Sequence, residues 1–265
     1  MNSLAHHAPQ FGLSRVPYQP SRSLDAKLRR RLVQKQVRRR APLDLDRPVV
    51  SFTFDDVPNS VLDHALPMLE DKGWASTLYI ATGLLGADTH MGRMMARDEV
   101  HSAHGAGHEI AAHSHLHRDY AQMETAALIA DNRRSRSVFA EMDLPAPTAF
   151  AWPYGEATRA GKDVLSEQYT SLRGIRGQAH RKRVDLNQLG SQALFGDTLI
   201  EVGRKLDQLA RKPGWLTLFT HDVREEPSPW GCTPAQFSAI VERVEAIGAE
   251  VLPVSTVVER IQHGQ

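Results

Sequence analysis

An α/β fold, a parallel sheet flanked by helices, is predicted by three observations. Short apolar runs alternate with longer helical stretches from residue 46 onward, as repeated βα units do. The length of 265 residues suits one such domain, since α/β barrels of about 250 residues fold as a unit and bury an ample core without staples. The residues able to do chemistry also fall just after the strand-like runs, where barrel and open α/β sites form.

Taken in order, residues 1–21 read as a disordered segment, with Pro9, Pro17 and Pro20 and little periodicity. Residues 22–45 read as a basic amphipathic helix or arm, helical over 22–40. Arg22, Lys27, Arg29, Arg30, Arg31, Lys35, Arg38, Arg39 and Arg40 crowd residues 22–40, opposed there only by Asp25, while Leu24, Leu28, Leu32 and Val33 recur at helical spacing. Such a helix suits a membrane surface or an anionic partner. It suits equally a solvated arm or a helix capping the domain. Asp46-Arg47-Pro48 then opens the folded body, residues 46–265.

Val49 to Phe54 is a buried strand, apolar and β-branched, with Asp55 and Asp56 just beyond it. Ser60-Val61-Leu62-Asp63 starts a helix with capping-box spacing. Thr77 to Ile80 is a strand. Asp98 to Ala106 is a helix ended by Gly107. Glu109 to Ala112 is a short strand that delivers His113. Glu124 to Met142 is a long helix with a polar face. Thr148 to Ala151, Tyr169 to Leu172 and Leu216 to Thr220 are further strands. Glu250 to Val254 is the last, followed by a helix.

Composition narrows the setting. The single cysteine, Cys232, excludes an intramolecular disulfide and fits a reducing compartment. The first twenty residues lack the apolar core of a secretory signal, and no run approaches the ~20 apolar residues that span a bilayer. A cytoplasmic location is expected, peripheral to the inner membrane face if the arm binds lipid. The net charge of +1 hides an asymmetry, because the chain outside the arm is net acidic.

Four clusters carry the chemistry. Asp55-Asp56 has a bland reading as a turn. Adjacent carboxylates after a buried strand are costly, however, unless a cation or proton neutralises them. His113 and His117, four apart, can face one point if the chain makes a helical turn there, with His115 pointing elsewhere. Together these residues offer one carboxylate, two imidazoles and a spare base, the inventory of a metal-assisted hydrolase with an open coordination position. Trp152-Pro153-Tyr154-Gly155 is either an ordinary aromatic turn or a rigid loop aiming a backbone N–H at an oxyanion. Leu218-Phe219-Thr220-His221-Asp222 ends a strand in a histidine that is either buried against Asp222 or a general acid for a leaving amine. The proline-rich loop after it carries Trp230 and can wall a substrate.

In this order the clusters resemble the polysaccharide deacetylase family, carbohydrate esterase family 4, over about residues 47–262. Thr53-Phe54-Asp55-Asp56 stands for the first motif, His113-Ser114-x-x-His117 for the second, and Leu216 to His221 for the fifth. The resemblance implies a distorted (β/α)7 barrel that removes acetyl groups from N-acetylated sugars. By the same resemblance Asp56, His113 and His117 hold a divalent metal, zinc first, with cobalt or nickel fitting the same donors. Asp55 is then the base, Tyr154 the backbone donor to the oxyanion and His221 the acid. Leu218, Trp152, Trp230 and Arg173 are the candidate substrate contacts.

Two departures stand out. The third motif lacks its usual arginine, for which Arg173 or Arg176 are the replacements in reach. The fourth motif is not recognisable between Ser171 and Leu189, and Asp185 is its candidate stand-in. The expected substrate is an N-acetylglucosamine polymer, an exopolysaccharide such as a holdfast-type adhesin, or its lipid-linked precursor. No specific nucleic acid partner is expected, and homo-oligomers are compatible with the sequence. A glycan-binding protein without activity on the same fold, an O-acetyl esterase, and a nucleic-acid or membrane adaptor driven by the arm are the other readings.

Overall fold

A computed structural model of the chain describes residues 20, 21 and 23–263. The expected disordered segment therefore lies outside the described residues, apart from Pro20 and Ser21.

Seven parallel strands form the barrel: β1 (Val49–Asp55), β2 (Thr77–Ile80), β3 (Glu109–Ala112), β4 (Ala149–Ala151), β5 (Ser171–Arg173), β6 (Gln192–Ala193) and β7 (Trp215–Thr220). Their order in space is β6-β7-β1-β2-β3-β4-β5. Leu189, just ahead of β6, closes the ring by donating to the Leu172 carbonyl (2.9 Å) and accepting from Gly174 N (2.8 Å). One bridging residue and a two-residue β6 make the closure thin, which is the distortion of the (β/α)7 barrel. A short strand β8 (Glu250–Val251) pairs with Val49 and Val50, below the point where β2 joins β1 at Thr53.

β1 is buried at all seven positions, as a strand covered on both faces must be. Phe52 and Phe54 pack on Phe237 of the outer helix Pro234–Ala246, with ring centroids 5.5 and 5.8 Å apart. That helix carries a full capping box, Thr233 with Gln236, and Pro234 at its first turn. It and the helix Thr198–Arg211 fall in stretches where the sequence reading places no element.

The arm departs from expectation. Its helix runs only from Leu24 to Val33, because Val37 turns left-handed (φ 46°) and the chain becomes a strand, Arg40–Leu43, antiparallel to Lys182–Asp185. Far from swinging free, it is bound to the barrel. Arg30 Nε donates to Glu156 Oε1 (2.5 Å), and Lys162 Nζ donates to the carbonyls of Val33 (3.0 Å) and Gln36 (3.3 Å). The Arg39 guanidinium donates to the carbonyls of Tyr169, Thr170 and Ser166. The leucines face outward: Leu24, Leu28 and Leu32 are 83 %, 58 % and 52 % exposed. Among the described residues no helix is long and apolar enough to cross a membrane.

Candidate active site

The ends of β1 and β3 place the first two clusters side by side. Asp55 closes β1, and Val57 N donates back to the Asp55 carbonyl (2.6 Å) in a three-residue turn. Asp56 and Val57 both sit at φ 60°, a region that costs a β-branched residue energy. This turn separates the two carboxylates. Asp55 points at Arg173, and Asp56 points at the histidines.

No helical turn brings His113 and His117 together. The stretch after β3 is irregular, and Ser114 (φ 70°) and His117 (φ 47°) are left-handed. The fold is pinned instead by Asp131, buried in the helix Thr125–Glu141. Its two oxygens accept from His115 N and Leu116 N, both at 2.9 Å, and Oδ2 also accepts from the Tyr120 hydroxyl (2.7 Å). Ser114 Oγ accepts from His117 N (3.0 Å). His115 turns away toward Thr82 Oγ1 (2.9 Å).

Asp56, His113 and His117 each offer one ligand atom within 4.8 Å of the other two. His113 Nδ1 lies 2.9 Å from the Ala151 carbonyl, which fixes the proton there and leaves Nε2 for the site. That Nε2 is 3.8 Å from Asp56 Oδ1, and His117 Nε2 is 3.3 Å from it. Burial lowers both imidazoles to about 4, so they are neutral near pH 7. Burial raises the Asp56 carboxyl, against the pull of His113 and His221. Asp56 Oδ1 is buried without a hydrogen-bond partner among the described residues. An orphaned carboxylate oxygen facing two neutral imidazole nitrogens fits a divalent cation, and the donor types suit zinc, cobalt or nickel.

Asp55 is held differently. Arg173 Nη2 donates to both its oxygens, at 2.5 and 2.6 Å. Arg173 is itself fully buried, donates through Nη1 to Ser191 Oγ (3.0 Å), and lies over the rings of Tyr79 (4.7 Å) and Phe219 (5.2 Å). Burial pushes the Asp55 carboxyl up, but Arg173, with His113 and His221, outweighs it and leaves the group below the usual carboxylate range. Arg173 is in register with Ala151, one strand away from the motif that lacks an arginine. As a substrate contact Arg173 is ruled out by its burial. Arg176 is exposed in the following loop. Asp185 does not reach the site: it accepts from Arg39 N (3.0 Å) and so anchors the arm.

Tyr154 sits in the left-handed region (φ 57°, ψ 8°), with its ring 4.7 Å from that of His117. His221 Nδ1 lies 3.2 Å from the Trp230 carbonyl. Asp222 is bonded to Arg224 and Ser228 instead of the imidazole. Trp230 is half-buried and meets His90 edge-on at 5.2 Å, while Phe195 and Phe219 flank His221. Neither Trp152 nor Leu218 presents surface to a ligand. Both are 1 % exposed, Trp152 packing on Phe150 and Tyr120 and Leu218 lying in the same core cluster. Their aromatic and aliphatic bulk contributes more inside the core than it would at the rim.

The described geometry has known counterparts. Residues 43–170 match the polysaccharide deacetylase family model. A chitin deacetylase from the fungal pathogen Colletotrichum lindemuthianum aligns at 18 % identity and TM-score 0.58, covering 81 % of this chain and 89 % of that one. The Xyl-CE4 domain of a multidomain xylanase from the hindgut metagenome of Trinervitermes trinervoides aligns at 16 % and 0.57, covering 81 % and 91 %. A family 4 acetyl xylan esterase from Clostridium thermocellum, in complex with a cobalt ion, aligns at 18 % and 0.56, covering 80 % and 90 %. A search of curated proteins finds no match.

Proposed function

We propose, from a chain whose residues 43–170 match the polysaccharide deacetylase family model, a metal-dependent N-deacetylase acting on N-acetylglucosamine residues of an exopolysaccharide or its lipid-linked precursor. One observation carries this reading. Three ligand atoms converge within 4.8 Å while the adjacent carboxylate is kept apart by Arg173.

Amide hydrolysis needs an activated water, a stabilised oxyanion and an acid for a poor leaving group. Asp56, His113 and His117 would hold the cation, which acidifies water and polarises a carbonyl when bound. Asp55 does not ligate, so its basicity is available to take a proton from the attacking water. Arg173 fixes that carboxylate and keeps it ionised. Tyr154, beside His117, offers its backbone N–H to the developing oxyanion. His221, its Nδ1 against the Trp230 carbonyl, gives a proton from Nε2 to the departing amine.

The lipid-linked form of the substrate is supported by the arm, whose outward leucines and flanking Lys27, Arg31 and Lys35 match an anionic membrane surface. The same match supports a place at the cytoplasmic membrane face.

The test is acetate release from N-acetylglucosamine oligomers, by protein stripped with chelator and then reloaded with zinc, cobalt or nickel. Release restored by metal is expected. Release untouched by full metal removal, or none from any loaded form, would overturn the reading. Acetylated xylan run in parallel separates an O-acetyl esterase, and glycan binding without release separates a non-catalytic binder.

A further inference from the structure

A concavity lies beside the metal-ligand cluster, linked to it by Tyr154. It is a cleft of about 330 Å³ between the arm helix and the turn that carries Tyr154. Arg30 and Val33 wall it on the arm side, Tyr154 and Glu156 on the turn, and Ile175 and Gln188 on the segments after β5. Tyr154 is shared, since the same ring touches His117. Whatever fills the cleft is therefore one side chain away from the reacting centre.

The lining is mixed in a particular way. Ile175 is 47 % exposed, a large apolar side chain left open beside Val33 and Ala157 and among the polar side chains of Arg30, Arg176 and Gln188. Gln188 Oε1 is buried and accepts no hydrogen bond among the described residues, while Glu156 Oε2 faces the Arg29 guanidinium at 3.7 Å. Glu156 is tied through its other oxygen to Arg30, so the arm and the turn share two ion pairs at the cleft. Amide, carboxylate and guanidinium groups next to aliphatic surface suit a ligand rich in hydroxyl groups with an apolar C–H face. A pyranose ring has both. The volume lies at the small end of small-molecule sites, room for one or two sugar units.

The walls also show where the cleft comes from. Arg30 and Val33 precede residue 43, where the match to the family model begins. We propose that the arm completes a subsite for a pyranose unit of the substrate chain, next to the unit whose acetamide meets the cluster. The arm thereby makes the protein prefer longer chains. This rests on the deacetylase reading, so the experiment reads binding and hydrolysis separately.

Calorimetric binding and acetate release are measured on the full-length, metal-loaded protein with N-acetylglucosamine dimer and pentamer. Two variants of opposite kind are compared, Ile175→Trp to fill the cleft and Gln188→Ala to remove an acceptor. The subsite predicts that the pentamer-to-dimer ratio of kcat/KM falls about fivefold or more in each variant, with pentamer affinity falling in parallel. A wild type that binds pentamer no better than dimer, or ratios that stay put in both variants, would overturn the subsite even if acetate is released. Pentamer binding that the variants lose, without acetate from any oligomer, would sustain the subsite and sink the deacetylase reading. No binding and no release would end both.

Discussion

At the scale of single residues, the decisive arrangement is Asp55 pinned by a buried guanidinium. Asp55→Asn removes the base and is expected to lower kcat/KM by about 10²–10⁴-fold, read by acetate release. Arg173→Met leaves Asp55 buried with its main counter-charge gone, so its carboxyl rises. A base must be ionised to act, so activity at low pH is lost first. The acid limb of the kcat/KM profile in Arg173→Met moves to higher pH, and an unmoved limb would show that Arg173 does not set the base. Asp55, Asp56, His113 and His117 were legible because their spacing is local and follows strands. Arg173 was not decidable against Arg176, since their roles depend on which residue of β5 lies in register with Ala151. Trp152 was misread for a related reason: a turn dipeptide does not tell which of its side chains faces inward.

At the scale of elements, the loop after β3 is held by a residue from elsewhere. Asp131 accepts two loop amides and a tyrosine hydroxyl, yet lies mid-helix with no local mark of its role. A sequence pass sees it as one more polar residue on a polar face. Asp131→Ala frees buried donors and releases the bend that aims His117. Zinc affinity, measured by chelator competition, is expected to drop about 10–100-fold, as when partners behind metal ligands are lost. Unaltered affinity would mean that Ser114 and the left-handed residues suffice. The strands β1, β2 and β3 were readable from apolar runs and β-branched residues. The helix Pro234–Ala246 carried a readable start in Thr233-Pro234-Ala235-Gln236, whereas β6, two residues long, leaves no periodicity to detect.

At the scale of the whole molecule, the arm sets the protein apart from a bare barrel. Its inner face is spent on Glu156, Lys162 and the β5 side, which leaves a leucine row bordered by cations on the outside. Flotation with vesicles containing anionic lipid should recover the protein, less so at high salt. Leu24→Ser, Leu28→Ser and Leu32→Ser combined should abolish recovery, and wild-type protein left wholly in the unbound fraction at low salt would dispose of membrane contact. The barrel class was legible from βα alternation. The docking of the arm was not, because ion pairs such as Arg30 with Glu156 join residues 126 positions apart.

The strand Arg40–Leu43 bears on how the protein can be produced. Cutting the chain at residue 43 would strip Lys182–Asp185 of its partner along that edge and open the apolar cluster that holds Leu43, Val184 and Leu186. An unpaired ribbon beside exposed aliphatic surface invites self-association. A shortened product that clumps during purification would therefore report a missing neighbour, with the barrel's own ability to fold left intact.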